Sequence, residues 1–336
     1  MLDRVLGLAS AVSFAIGSLA GPADPRSTVD LTFADPAIVE SSGLVVRDGL
    51  FLTTNDSGDG GRVFVVDDSG ETVGTTSWSE APEDVEALAP AGPGAVWVGD
   101  IGDNREARDS IAVLRVPYGR SHQVVEPETF TLVYPDGARD AETLLAHPGT
   151  GRLFVVSKDI FGGTVYAAPV TLSAEHPNRL RAVADSLSFA TDGSFFPDGH
   201  HYVLRDYGAA AVYTFPGHEK VASFGLPDQQ QGEGIAVASD GSVHISTEGQ
   251  FTDVLDVELP PQVVEALRAP RPEPSADASE GEPWDPEADA ADAAQAGDDI
   301  DAGIDVPGWL WGIGGVVALG FVAALARLLT RHGAAS

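Results

Sequence analysis

One unit of three short apolar runs recurs five times along this chain, and that recurrence restricts the fold more than any other feature. The first run appears as Ser41-Ser42-Gly43-Leu44, Asp84-Val85-Glu86-Ala87-Leu88, Asp140-Ala141-Glu142-Thr143-Leu144, Thr191-Asp192-Gly193-Ser194-Phe195 and Gly232-Glu233-Gly234-Ile235. The second runs are 50–54, 96–98, 153–156, 202–204 and 243–245; the third are 63–66, 111–116, 164–166, 211–214 and 254–257. Each run is rich in β-branched residues and ends at Gly, Pro, Asp or Asn, the signature of strands joined by tight turns. A fourth strand follows in the first four copies, at 72–78, 129–134, 181–186 and 221–224.

The copies stand roughly forty to fifty-six residues apart. A β-helix repeats over a shorter period, and a sandwich does not repeat its order of elements. The expectation is therefore an all-β, five-bladed β-propeller over residues 28–260, with a sixth, degenerate blade as the variant that irregular spacing leaves open. The fifth copy lacks a fourth strand, while a spare one, Thr28-Val29-Asp30-Leu31-Thr32-Phe33, precedes the first copy. Pairing the two would close the ring and remove an edge.

Flanking segments predict where such a domain works. Residues 1–20 carry an apolar run with Ser18 and Ala20 before Gly21, as in a signal peptide, with an uncleaved anchor as the alternative. Residues 307–329 hold about twenty residues without charge, opened by Trp309 and Trp311 and followed by Arg327 and Arg331, as in a membrane helix with a basic inner flank. Between them, residues 270–306 place twelve acids against Arg271 alone and read as a self-repelling spacer, leaving 330–336 as a cytoplasmic tail. The expected topology is a single-pass membrane protein with a monomeric extracellular head. The whole chain's net charge of −32 excludes nucleic acid as a natural partner. With no cysteine, the head is held by its core, or by core and metal.

In a propeller the first strand of each blade lines the channel, and the loops between second and third strands share its mouth. The axis then receives Ser42, Glu86, Glu142, Thr191 or Asp192, and Glu233. Around it come Asp56, Asp59, Asp100, Asp103, Asn104, Lys158, Arg205 and Glu248, with Arg139 just ahead of the third copy. Carboxylates crowded into one channel repel by about 2 kcal/mol per pair at about 7 Å. Raised pKa values, backbone amides or a cation would relieve that; for an all-oxygen set the cation is hard, and Ca²⁺ suits a roomy ring.

The order Ser42, Glu86, Glu142, short polar residue, Glu233 resembles the tunnel of the calcium-activated nucleotidases (apyrases), with Ser42-Gly43-Leu44-Val45-Val46, Asp48-Gly49-Leu50-Phe51 and Asn55-Asp56 similar to that family's first blade and Gly232-Glu233-Gly234-Ile235 to its last. The resemblance implies five blades and an axial Ca²⁺. The fourth position departs from it, offering Thr191 or Asp192 in place of Ser. The loops 55–59 and 99–104 and the stretch 134–142 also look like secreted bacterial propellers.

Other motifs point less far. Asn55-Asp56-Ser57-Gly58-Asp59-Gly60 opens like a calcium loop but lacks a Glu at the twelfth position, and a hairpin turn selects the same residues. There is no Gly-x-Ser-x-Gly elbow, and His200-His201 sits at a turn outside any zinc motif. Two functions remain. One is a binding ectodomain recognising an extracellular ligand through its acidic pore face. The other is a Ca²⁺-dependent phosphohydrolase, with Arg139, Lys158 or Arg205 stabilising charge and Asp56 or Asp100 activating water.

Overall fold

The computed structural model describes residues 26–56 and 58–269. The chain divides into two units, Met1–Pro270 and Arg271–Ser336, and every described residue belongs to the first. The expected signal peptide, spacer, membrane helix and tail lie outside the described residues. Among the described residues no helix is long and apolar enough to cross a membrane.

Five sheets, each built on four antiparallel strands, form the five blades. Blade 1 is β2 (Ser41–Arg47), β3 (Leu50–Asn55), β4 (Arg62–Val66) and β5 (Thr72–Trp78). Blade 2 is β6 (Val85–Pro90), β7 (Ala95–Asp100), β8 (Ile111–Pro117) and β10 (Glu128–Val133). Blade 3 is β11 (Ala141–Ala146), β12 (Leu153–Ser157), β13 (Thr164–Ala167) and β15 (Arg181–Asp185). Blade 4 is β16 (Asp192–Phe195), β17 (His201–Arg205), β18 (Ala209–Thr214) and β19 (Lys220–Gly225). Blade 5 is β20 (Gly232–Val237), β21 (Val243–Thr247) and β22 (Asp253–Val257), completed by β1 (Ser27–Thr32), which pairs antiparallel with β22 from Ser27↔Val257 to Thr32↔Asp253. The spare N-terminal strand thus closes the ring.

The first strands β2, β6, β11, β16 and β20 pack side by side in a closed circle. Every blade is covered on both faces, so β3 and β12 are buried along their whole length instead of at alternate positions. Five apolar cores result, one between each pair of neighbouring blades. Between blades 5 and 1, for example, Leu31, Phe33, Leu44, Phe51, Phe64 and Val254 pack together.

Three elements were not expected from the sequence. β9 (His122–Val125), inside the connection between β8 and β10, adds in parallel to β5 of the preceding blade. β14 (Asn178–Arg179) adds in parallel to β10 in the same way. Gly74 permits the first of these crossings, because a Cβ there would stand 2.0 Å from the Gly119 carbonyl oxygen. Helix α1 (Pro261–Arg268) follows blade 5, packs against β19 and buries Val263 in the core between blades 4 and 5. These additions cover outer edges that would otherwise invite pairing with another chain.

Candidate functional site

Four of the first strands break their ladder at the channel. Register shifts fall between Ser41 and Leu44, Val85 and Ala87, Ala141 and Thr143, and Gly232 and Ile235. The residues released by these bulges are Ser42, Glu86, Glu142 and Glu233, all buried. A bulge re-aims a side chain out of the sheet, which is how residues of ordinary strands come to face the axis. It also brings backbones close: a Cβ on Gly43 would lie 2.5 Å from the Leu88 nitrogen.

Two further sets surround this one. In four blades the residue two before the channel position accepts, through its carbonyl, the amide of a residue just past the second strand: Glu40 from Asp56 (3.2 Å), Asp84 from Gly102 (3.1 Å), Asp140 from Lys158 (2.9 Å) and Gln231 from Glu248 (3.0 Å). Eight carboxylates therefore gather at one mouth of the channel: Glu40, Asp56, Asp84, Glu86, Asp140, Glu142, Glu233 and Glu248. Burial pushes Glu86 and Glu233 well up, reinforced in both by Glu142. Burial likewise lifts Glu40 and Asp140, raises Asp84 to about 6, and raises Glu142 and Glu248 to about 7.

The sequence-predicted residues separate into three kinds here. Ser42 donates to the Glu86 carbonyl and to its Oε2, each at 3.0 Å, and Thr191 donates to the Glu233 carbonyl at 3.0 Å. Thr191 is thus the counterpart of Ser42, whereas Asp192 accepts from the amides of Gly193 and Ile235, both at 2.8 Å, and from the Leu44 amide. Lys158 joins the channel group by an ion pair with Glu142 and donates to the Tyr207 hydroxyl at 2.9 Å.

The second kind fastens loops. Asp59 pairs with Arg62 and accepts from Asn55 and the Gly60 amide. Asp100 accepts from the amides of Glu83 and Asp84 and from Arg108, and Asp103 accepts from the amides of Ala107 and Arg108. Arg205 is fully buried and donates to the carbonyls of Asp206, Gly234, Ser246 and Tyr207 and to Gln229. The third kind stays peripheral: Asn104 is exposed, and Arg139 is occupied by Asp136 and Tyr166. His201 accompanies Asp198 within its own turn.

Sequence reasoning overlooked Glu40, Asp84 and Asp140. Their common place, two residues ahead of Ser42, Glu86 and Glu142, was a repeat visible once the copies were aligned on the channel residue. Asp56, Asp84 and Glu86 each present a carboxylate oxygen such that the three lie within 4.8 Å of one another. Two oxygens of the group, Asp84 Oδ1 and Glu142 Oε2, are buried without a hydrogen-bond partner. Buried polar atoms are nearly always satisfied, so unpaired carboxylate oxygens inside a negative cluster fit a hard cation.

The far mouth differs. It opens into a cavity of about 430 Å³ lined by Leu44, Leu88, Leu144, Phe195 and Val237, one from each blade. His147 beside it accepts at Nδ1 from the amides of Gly149 and Thr150, which leaves Nε2 to donate to the Gly199 carbonyl.

Fold and site together define a five-bladed β-propeller with an acidic channel mouth. No protein-family model matches the sequence, and no curated protein does. Among solved structures it is similar to the Myxococcus xanthus glutaminyl cyclase, at 12% identity and TM-score 0.46 over 71% of this chain and 100% of that one. Two glucose dehydrogenase structures match at 12% identity and TM-scores of 0.43 and 0.44, each over 70% of this chain and 100% of the other. Similarity at that level carries nothing about the site.

Proposed function

We propose that this chain is a cell-surface binding propeller whose acidic channel mouth takes Ca²⁺ and so prepares that face for an extracellular ligand. The observation that carries the reading is a pair of carboxylate oxygens, Asp84 Oδ1 and Glu142 Oε2, buried without a hydrogen-bond partner in the acidic ring. Ca²⁺ would be held by oxygen ligands alone, the chemistry it prefers, and would lift the mutual repulsion that the raised carboxyls express. The membrane tether in this reading rests on the apolar segment 307–329 of the sequence.

Hydrolysis of a phosphate ester is the weaker reading. Arg205 has its donors engaged by the protein itself, Arg139 is tied to Asp136 and Tyr166, and Lys158 faces Glu142 and Tyr207, so a phosphate would meet carboxylates first. The test of the binding reading is thermal melting of the purified protein with Ca²⁺ and with chelator. A ligand bound only by the folded state raises the melting temperature by mass action, and an unchanged transition would sink the proposal. Phosphate release from nucleoside di- or triphosphates that needs Ca²⁺ and disappears in Glu86→Gln would replace binding by catalysis.

A further inference from the structure

The carboxylate ring is lopsided. On the side of blades 3 to 5, Lys158 reaches into it from the end of β12, pairs with Glu142, touches Tyr207, and favours ionisation of Glu233. On the side of blades 1 and 2, Asp56, Asp84 and Glu86 converge, each offering an oxygen within 4.8 Å of the others. Arg108, the cation that acts on Asp84, is held by Asp100, by the Gly102 carbonyl and by Glu83. One unpartnered oxygen, Asp84 Oδ1, belongs to this half.

We propose that Lys158 is a built-in cation filling the Glu142–Glu233 half of the ring, so that the mouth binds a single Ca²⁺ off the axis, on Asp56, Asp84 and Glu86. This rests on the reading of the ring as a cation site and adds where the ion sits and how many enter. Around Ca²⁺, ligand oxygens at about 2.3–2.6 Å stand at most about 5 Å apart, which the observed spacing satisfies. Asp56 comes from the loop after β3, while Asp84 and Glu86 come from the entry to β6 and from β6 itself. The ion therefore links blade 1 to blade 2, as the hydroxyl of Ser42 already does through Glu86. Lys158 makes the equivalent link across blades 3 and 4, through Glu142 and Tyr207.

Calorimetric titration of Ca²⁺ into the chelated full-length protein counts the ions. One ion per chain is expected for the natural sequence. Asp84→Asn should weaken it about 100-fold or more, because ligand charge sets affinity in such sites, and Asp56→Asn serves the same purpose should the first variant not fold. Lys158→Met should admit a second ion per chain, and Lys158→Arg should keep the count at one. Full affinity in both aspartate variants, or one ion still in Lys158→Met, overturns the proposal while leaving a cation in the ring. Absence of any Ca²⁺ binding by the natural protein removes the ring reading itself.

Discussion

At the fourth channel position, side-chain chemistry and backbone position compete. Of the two residues offered there, aspartate is by type the better metal ligand, yet Thr191 faces the channel as Ser42 does, and Asp192 points between blades to the amides of Gly193, Ile235 and Leu44. Asp192→Asn would set amide hydrogens against the donor of one of the two carboxylate oxygens, which accept from Gly193 and Ile235 separately. It should cost about 2–3 kcal/mol in denaturant unfolding, the penalty of leaving a buried amide donor without its acceptor, with Ca²⁺ affinity unchanged. Arg205 repeats the lesson, since its basic charge suggested a ligand contact and its burial gives it backbone carbonyls. Arg205→Leu should destabilise by about 3–5 kcal/mol, as removal of one partner from a buried charged network does. Residue type was legible in the sequence; which of two adjacent residues faces the axis was not, because β16 pairs with β17 in unbroken register from Asp192 onward and the channel position falls just ahead of it.

Strands carried by long apolar runs were legible because both faces of each blade are buried, which writes them as continuous runs. β9 was not, since its residues sit on a sheet edge and are exposed or half-exposed, so burial imposes no pattern on them. α1 was hidden for a different reason: it begins at Pro261-Gln262, where composition already drifts toward the acidic segment, and only Val263, Leu267 and Leu259 before it meet the core. That contact makes it part of the fold. Val263→Asp places a charge in the core between blades 4 and 5 and should lower stability by several kcal/mol, a loss of about 3 or more being typical of an unpaired buried charge. Val263→Ala should cost only about 2 kcal/mol, the lower range for truncating a buried aliphatic side chain. Equal, negligible effects of the two on the thermal midpoint would mean that α1 does not hold the ring.

Across the whole molecule, four of the five blades deliver acidic groups to one mouth of the channel, and the charge held there makes stability depend on pH in a definite direction. Glu248 shows the sign. Burial first, then Glu40 and Asp56, raise its folded pKa to about 7 from an ordinary value of 4.5. Between those values the folded state keeps a proton that the unfolded chain has released, so stability falls as pH rises through the window and levels off above it. Glu142, also raised to about 7, contributes in the same sense. Asp59 and Asp198, whose pKa values are lowered, act only below the ordinary aspartate value of 3.8 and leave the window clear. His218, lowered from 6.5 by burial, works in the opposite direction but stands alone against a ring of raised carboxyls. The chelated protein should therefore melt at a higher temperature at pH 5 than at pH 8, and Glu248→Gln should flatten part of that slope. Saturating Ca²⁺ should flatten it further, because an ion supplies at pH 8 the positive charge that bound protons supply at pH 5. A melting temperature of the chelated protein that climbs steadily from pH 5 to pH 8 would show that the carboxylates at the mouth are not held in the strained, proton-retaining arrangement on which the cation site depends.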